Sequence, residues 1–69
     1  MNKQYETWAV VDGETMFLTD ENHETAESAI EEMQEKGYTV EEMKESGFTC
    51  CKFICEGNQW IECIEEIRF

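Results

Sequence analysis

Four cysteines are the most reactive side chains of the sequence, and they lie close together at Cys50, Cys51, Cys55 and Cys63. Their spacing lacks the two closely spaced pairs typical of a structural zinc site, and no histidine lies nearby. Side chains alternate between the two faces of a strand, so Cys50 and Cys51 cannot easily converge on one metal. Disulfides need an oxidising compartment, and the first residues lack the apolar core of an export signal. We therefore expect inert core thiols, with metal binding or redox use as the alternative.

A second possible metal site is a stretch that partly follows the calcium-loop pattern. Its oxygen-bearing side chains are Asp20, Asn22, Glu24, Ser28 and Glu31. The position that needs glycine for a sharp turn holds Thr25, and the surrounding residues are typical of the start of a helix. We expect no metal and no cofactor.

Catalysis would need a nucleophile beside a base. His23 is the only histidine, and neither Ser28 nor Ser46 has an evident base in the sequence. A Gly-rich loop that could cradle a phosphate is also missing. We expect no catalytic residues, and a binding protein instead of an enzyme.

Carboxylates dominate the charge of the chain. Its 69 residues contain 17 Asp and Glu against 5 Lys and Arg, a formal net charge of −12. Residues 20–45 hold ten of the acidic residues and only two basic ones, Lys36 and Lys44. This balance excludes an ordinary nucleic-acid-binding surface, which is basic, and argues against docking on an anionic membrane.

An internal repeat predicts two consecutive helices with tight ends. Residues 31–40 (EEMQEKGYTV) and 41–50 (EEMKESGFTC) are identical at six of ten positions. Gly37 and Gly47 suit the left-handed residue that follows a helix, and Thr39 with Glu42 forms a capping box for the second helix. The residue pairs expected to meet at these helix ends are Met33 with Tyr38 and Met43 with Phe48.

The first helix is expected to begin between Asn22 and Thr25, either of which could cap it. Its expected buried stripe consists of Ala26, Ala29, Ile30 and Met33. Glu27, Glu31 and Glu35 lie four residues apart on another face, and no Lys or Arg interrupts the row. Like charges at this spacing destabilise a helix slightly, which favours a functional interpretation of the row.

Two hairpins flank the helices. Gln4–Val11 and Glu14–Thr19 are joined by Asp12-Gly13, a strong turn signal, and a two-residue loop would pair Trp8 with Phe17 and Ala9 with Met16. Thr49–Glu56 and Gln59–Phe69 flank Gly57-Asn58. A two-residue loop would pair Cys55 with Trp60. A three-residue loop would instead place Cys51, Phe53 and Cys55 on one face with Ile61, Cys63, Ile67 and Phe69, so the register stays open.

The order ββ-αα-ββ predicts one α+β domain over residues 1–69, with an antiparallel sheet and both helices packed on one face. The second face of the sheet would carry apolar side chains, either Trp60, Ile54 and Ile64, or Trp8 and Phe17. These are shielded by a curled sheet and long side chains, or they form a homodimer or partner interface.

In size and acidity the chain resembles phage-encoded DNA-mimic inhibitors, anti-CRISPR proteins among them. This resemblance implies an inhibitor that occupies a basic nucleic-acid-binding protein or nuclease. From the charge and the first residues we expect it to be cytoplasmic and to contact neither nucleic acid nor membrane itself. The expected contact residues are Glu24, Glu27, Glu31, Glu32, Glu35, Glu41, Glu42 and Glu45. The alternative is an interaction module, homodimeric or with another protein, that uses an apolar sheet face around Trp60 or Trp8, the acidic face serving only solubility.

Overall fold

The computed structural model describes residues 3–13 and 16–69. Along the chain the elements are β1 (Gln4–Asp12), β2 (Met16–Phe17), α1 (Ala26–Glu35), α2 (Val40–Glu45), β3 (Phe48–Glu56) and β4 (Gln59–Arg68). The strands form one antiparallel sheet in the order β2-β1-β3-β4, and both helices pack on one of its faces. The predicted α+β class and ββ-αα-ββ order are confirmed.

Helix α1 begins and ends where its capping residues predict. The Thr25 side chain accepts a hydrogen bond from the Ser28 N–H at the first turn. At the other end Gly37 has a φ of +102°, a conformation that only glycine adopts without strain. Its N–H donates to the Gln34 carbonyl, and the next N–H, that of Tyr38, donates to the Met33 carbonyl at 3.1 Å. These two bonds are the Schellman ending that the repeat predicts.

Helix α2 is short and is defined by its ends. Thr39 and Glu42 form the predicted capping box, in which each side chain accepts the other residue's backbone N–H. The aromatic residues that follow the two helix stops, Tyr38 and Phe48, meet edge to face with ring centroids 6.0 Å apart. The repeat therefore brings its two copies into contact with each other.

The main core lies between the helices and the sheet. Its buried members are Trp8, Val10, Ala29, Met33, Met43 and Cys50. Ala29 and Met33 belong to the predicted stripe of α1, while the other two stripe residues are partly buried against the same cluster. Trp8 is only 8% exposed. The expectation of an exposed binding face around Trp8 is therefore wrong, because this side chain lies inside the fold.

The first hairpin has a different register from the one predicted. Val11 pairs with Phe17 and Asp12 with Met16, so residues 13–15 separate the strands. The predicted start of the second strand, Glu14, lies outside the described residues. Because the register differs from the prediction by three residues, an odd number, Phe17 lies on the face opposite Trp8 and not beside it.

The second hairpin combines features of both registers that the sequence left open. The turn has two residues, and Cys55 pairs with Trp60. The register then shifts by one between Cys55 and Ile54, and Phe53 pairs with Cys63 as a three-residue loop would have required. A second shift follows between Phe53 and Lys52. Each shift leaves one residue of β4 without a partner, as in a β-bulge.

The second face of the sheet is covered by its own side chains. Ala9, Val11 and Cys51 are buried there beneath Phe17 and Phe53. Trp60 stacks on Phe17 and packs edge-on against Phe53. The expected shielding of this face by long side chains is therefore present, while Trp60 itself stays 41% exposed.

Candidate partner-binding surface

Helix α1 carries a row of exposed carboxylates. Glu27, Glu31 and Glu35 are all exposed and lie on the side of the helix away from Ala29 and Met33. Residues four apart rise about 6 Å along a helix, so the row is regular. The orientation of this row is set by the opposite side of α1, which is buried against the sheet.

Helix α2 carries a second, shorter row. Glu41 and Glu45 are exposed and lie opposite Met43, the residue that buries α2 against the core. Since both helices pack on the same face of the sheet, both rows point away from it. We call Glu27, Glu31, Glu35, Glu41 and Glu45 the acidic helix surface.

Cations elsewhere in the fold are used on other carboxylates. Lys36 pairs with Asp20 at 2.8 Å and with Glu32 at 3.2 Å. The other ion pairs are Lys52 with Glu6 and Arg68 with Glu66. Over residues 3–13 and 16–69, no ion pair includes a member of the acidic helix surface. No ion pair therefore offsets its negative charge within the described residues, and the one cation beside it along the helices other than the paired Lys36 is Lys44 of α2.

Three predicted contact residues lie outside this surface. Glu24 is exposed just before α1. Glu42 is exposed, but its carboxylate accepts the Thr39 N–H at 3.2 Å and so helps to begin α2. Glu32 is different: its side chain is only 10% exposed. The structure gives Glu32 an internal role, which its position four residues from Lys36 only partly indicated.

Glu32 is an acceptor for four donors. Its oxygens accept hydrogen bonds from the backbone N–H groups of Asp20 at 2.7 Å and Glu21 at 3.1 Å. They also lie 2.8 Å from Nε2 of His23 and 3.2 Å from Nζ of Lys36. Burial alone would raise the pKa of Glu32, but these four donors outweigh it and lower the pKa to about 2. Glu32 is therefore an anchor for residues 20–23.

His23 connects this anchor to Ser28. Its Nδ1 lies 2.8 Å from the Ser28 hydroxyl, so the expectation that Ser28 has no base beside it is wrong. Serine, histidine and a carboxylate are the residue types of a hydrolytic triad. Ser28 and Glu32 share a face of α1, and this spacing was the one signal for the cluster in the sequence.

The surroundings of the Ser28-His23-Glu32 cluster favour a structural role. The His23 side chain is 7% exposed, and its backbone is bonded to β1: its N–H donates to Thr7 Oγ1 and its carbonyl accepts from the Trp8 N–H. An oxyanion site needs converging donors or positive charge, whereas the charged residues just before Ser28 in the chain are Glu24 and Glu27. The cluster fastens the segment before α1 to both β1 and α1.

The thiols occupy two environments. Cys50, Cys51 and Cys55 are buried, as expected of core thiols, but Cys63 is exposed, and for this residue the expectation is wrong. Burial raises the pKa of the Cys50 thiol to about 11 and also raises those of Cys51 and Cys55. The described part of the chain contains no cluster of three or more potential metal ligands.

Neither helix in the described ranges has the length and apolar character needed to cross a lipid bilayer. No family model, curated protein or solved structure matches this chain.

Proposed function

We propose that this protein is a small acidic binding protein that occupies the basic surface of a nucleic-acid-binding partner and so competes with nucleic acid. The observation that supports the proposal is the acidic helix surface: two rows of exposed carboxylates on one side of the fold, without ion pairs to the described cations.

The charge pattern of the acidic helix surface complements a partner surface that normally binds phosphates. Duplex DNA carries one negative charge per ~1.7 Å of its axis, and its binding proteins present clustered Lys and Arg. The row on α1 offers one carboxylate per ~6 Å, and α2 adds a second row beside it. Attraction between such surfaces also accelerates association and weakens as salt screens it.

A helix backbone that is already ordered makes a better competitor than a mobile one, because less backbone freedom is lost on binding. Both helices are capped at their N-termini by threonine, and each buries a methionine in the core. The Glu32 network additionally fixes the segment that leads into α1. The surface is therefore held by the fold and does not depend on the partner for its order.

The partner class follows from the resemblance in size and charge to phage-encoded DNA-mimic inhibitors. A basic nuclease or another nucleic-acid-binding protein, such as one of a bacterial defence system, is the first class to test, with this protein acting as an anti-CRISPR-type inhibitor. The proposal involves no catalysis, cofactor or metal.

The experiment is capture of partners from a bacterial lysate on the immobilised protein, with washes of increasing ionic strength. The test variant carries Glu31→Lys and Glu35→Lys; the matched control carries Asp12→Lys and Glu56→Lys, which change the net charge equally outside the helices. We expect the captured protein to be basic, to be released by salt and by added DNA, and to be lost with the test variant alone. Capture by the test variant at unchanged strength and salt dependence would remove the proposal.

A further inference from the structure

The two register shifts in β4 bring three isoleucines to one side of the sheet. A bulge sets two residues of one strand opposite a single residue of its neighbour. Ile61 and Glu62 therefore both lie opposite Ile54, and in the same way Ile64 and Glu65 lie opposite Lys52. Ile67 pairs with Cys50. Without the bulges, strict alternation would place Ile64 on the face opposite Ile61 and Ile67.

This side is the one that carries the helices. Cys50 is buried in the core with Met33 and Met43, and Trp8, the partner of Lys52 on β1, belongs to the same core. The helices pack mainly on β1 and β3, while β4 forms the outer edge of the sheet and is exposed along its whole length. We call Ile61, Ile64 and Ile67 the isoleucine ridge; they are 50%, 41% and 44% exposed.

We propose that the isoleucine ridge is the apolar part of a docking surface for a cationic protein, on the same side of the fold as the acidic helix surface. The partner that fits presents apolar side chains flanked by Lys or Arg. Protein interfaces combine an apolar centre with a polar rim, and carboxylates alone would supply only the rim. This inference rests on the proposed function, because it takes the partner to be basic.

Charge complementarity selects this occupant over a second copy of the chain. Glu62 and Glu65 alternate with the isoleucines on the same side of β4, and the described fold shows no ion pair to either. Two copies, each with a net charge of −12, would bring these carboxylates against one another. The bulges also disfavour strand-to-strand pairing along this edge, so contact occurs through side chains.

The test uses two synthetic peptides of equal length and positive charge, one alternating Lys with Leu and the other alternating Lys with Ser. The ridge variant carries Ile61→Thr, Ile64→Thr and Ile67→Thr, which keep β-branched side chains in the strand. The matched control carries Met16→Thr and Val40→Thr, two exposed apolar residues outside the ridge. Affinities are measured by calorimetry at low and high salt, with circular dichroism to verify folding.

We expect the unaltered protein to bind the Lys-Leu peptide about tenfold more tightly than the Lys-Ser peptide, a ratio that corresponds to roughly 1.4 kcal/mol. The ridge variant is expected to lose this preference while binding the Lys-Ser peptide unchanged, and the control is expected to retain the preference. Equal affinity of the unaltered protein for both peptides overturns the role of the isoleucine ridge but leaves the proposed function standing. Binding of the Lys-Ser peptide that is unaffected by Glu31→Lys with Glu35→Lys overturns the proposed function instead. A dimer that depends on the ridge, seen by sedimentation, overturns the choice of occupant.

Discussion

The rings of Phe17 and Trp60 stack with centroids 3.7 Å apart and planes inclined by 14°, although the two residues come from the opposite edge strands of the sheet. Phe53, on a central strand, meets both rings edge-on at 5.1 and 4.8 Å. Edge side chains can meet in this way only if the sheet curls over its own second face. The three rings cover the small side chains of Ala9 and Val11, which would otherwise be open to water.

We expect Trp60→Ala to lower the free energy of unfolding by about 2 kcal/mol, less than for a fully buried tryptophan because the side chain is 41% exposed. The Phe17–Trp60 pair should show a coupling energy of about 1 kcal/mol in a double-mutant cycle measured by urea denaturation. Trp60→Phe, which keeps an aromatic ring, is the control. Additive effects of Phe17→Ala and Trp60→Ala would contradict the stacked arrangement.

Glu32→Gln is expected to destabilise the fold by about 2 kcal/mol, because it removes the charge that His23, Lys36 and two backbone N–H groups contact. The matched control is Glu31→Gln at the neighbouring position, where the carboxylate is exposed, and its effect should stay within about 0.5 kcal/mol. Equal effects of the two substitutions on the urea midpoint would show that the network around Glu32 contributes little.

The lowered pKa of Glu32 predicts that the stability of the fold depends on pH. The pKa of Glu32 is about 2 in the folded protein against 4.5 for an unperturbed glutamate, so the folded state binds this proton less readily than the unfolded state. The resulting stabilisation is complete above about pH 4.5 and is lost as the pH falls toward 2. We expect the stability difference between the unaltered protein and Glu32→Gln to shrink over this range. A difference that stays constant between pH 6 and pH 2 would be inconsistent with the lowered pKa.

Glu31→Lys should separate stability from binding. It replaces two repulsions in α1, with Glu27 and Glu35, by attractions, and is expected to stabilise the fold by roughly 0.5–1 kcal/mol. The same change should weaken binding to a cationic partner, because it places a positive charge in the middle of the acidic helix surface. Thermal denaturation and titration with the Lys-Ser peptide measure the two effects. Weakened binding together with a lower melting temperature would point to damage of the fold instead.

Alkylation should distinguish the thiols. Cys63 is exposed, whereas Cys50 is buried and its pKa is raised to about 11, so little of its reactive thiolate exists at neutral pH. We expect iodoacetamide to modify Cys63 first in the folded protein, and the three buried thiols only after unfolding. Mass spectrometry of the peptides identifies the order. Early modification of Cys50 would contradict its burial.

The sequence was sufficient for the helix ends and for which residues share a face within one helix or strand. The helix caps at Thr25 and Thr39, the stop at Gly37 and the opposite faces of Cys50 and Cys51 follow from local backbone geometry, and the structure confirms them. The exposed carboxylate row on α1 followed from spacing for the same reason, since residues four apart share a helix face.

Tertiary structure decided what depends on residues far apart in the chain. The register of a strand pair is set by how the whole sheet packs, and shifts of one residue invert its faces. The burial of Trp8, the meeting of Phe17 with Trp60 and the alignment of three isoleucines by two bulges therefore could not be predicted from local patterns. The role of Glu32 also depends on tertiary structure. In the sequence it is one of many acidic residues in a charged segment. It is a buried anchor only because His23 and two backbone N–H groups from outside α1 contact its carboxylate.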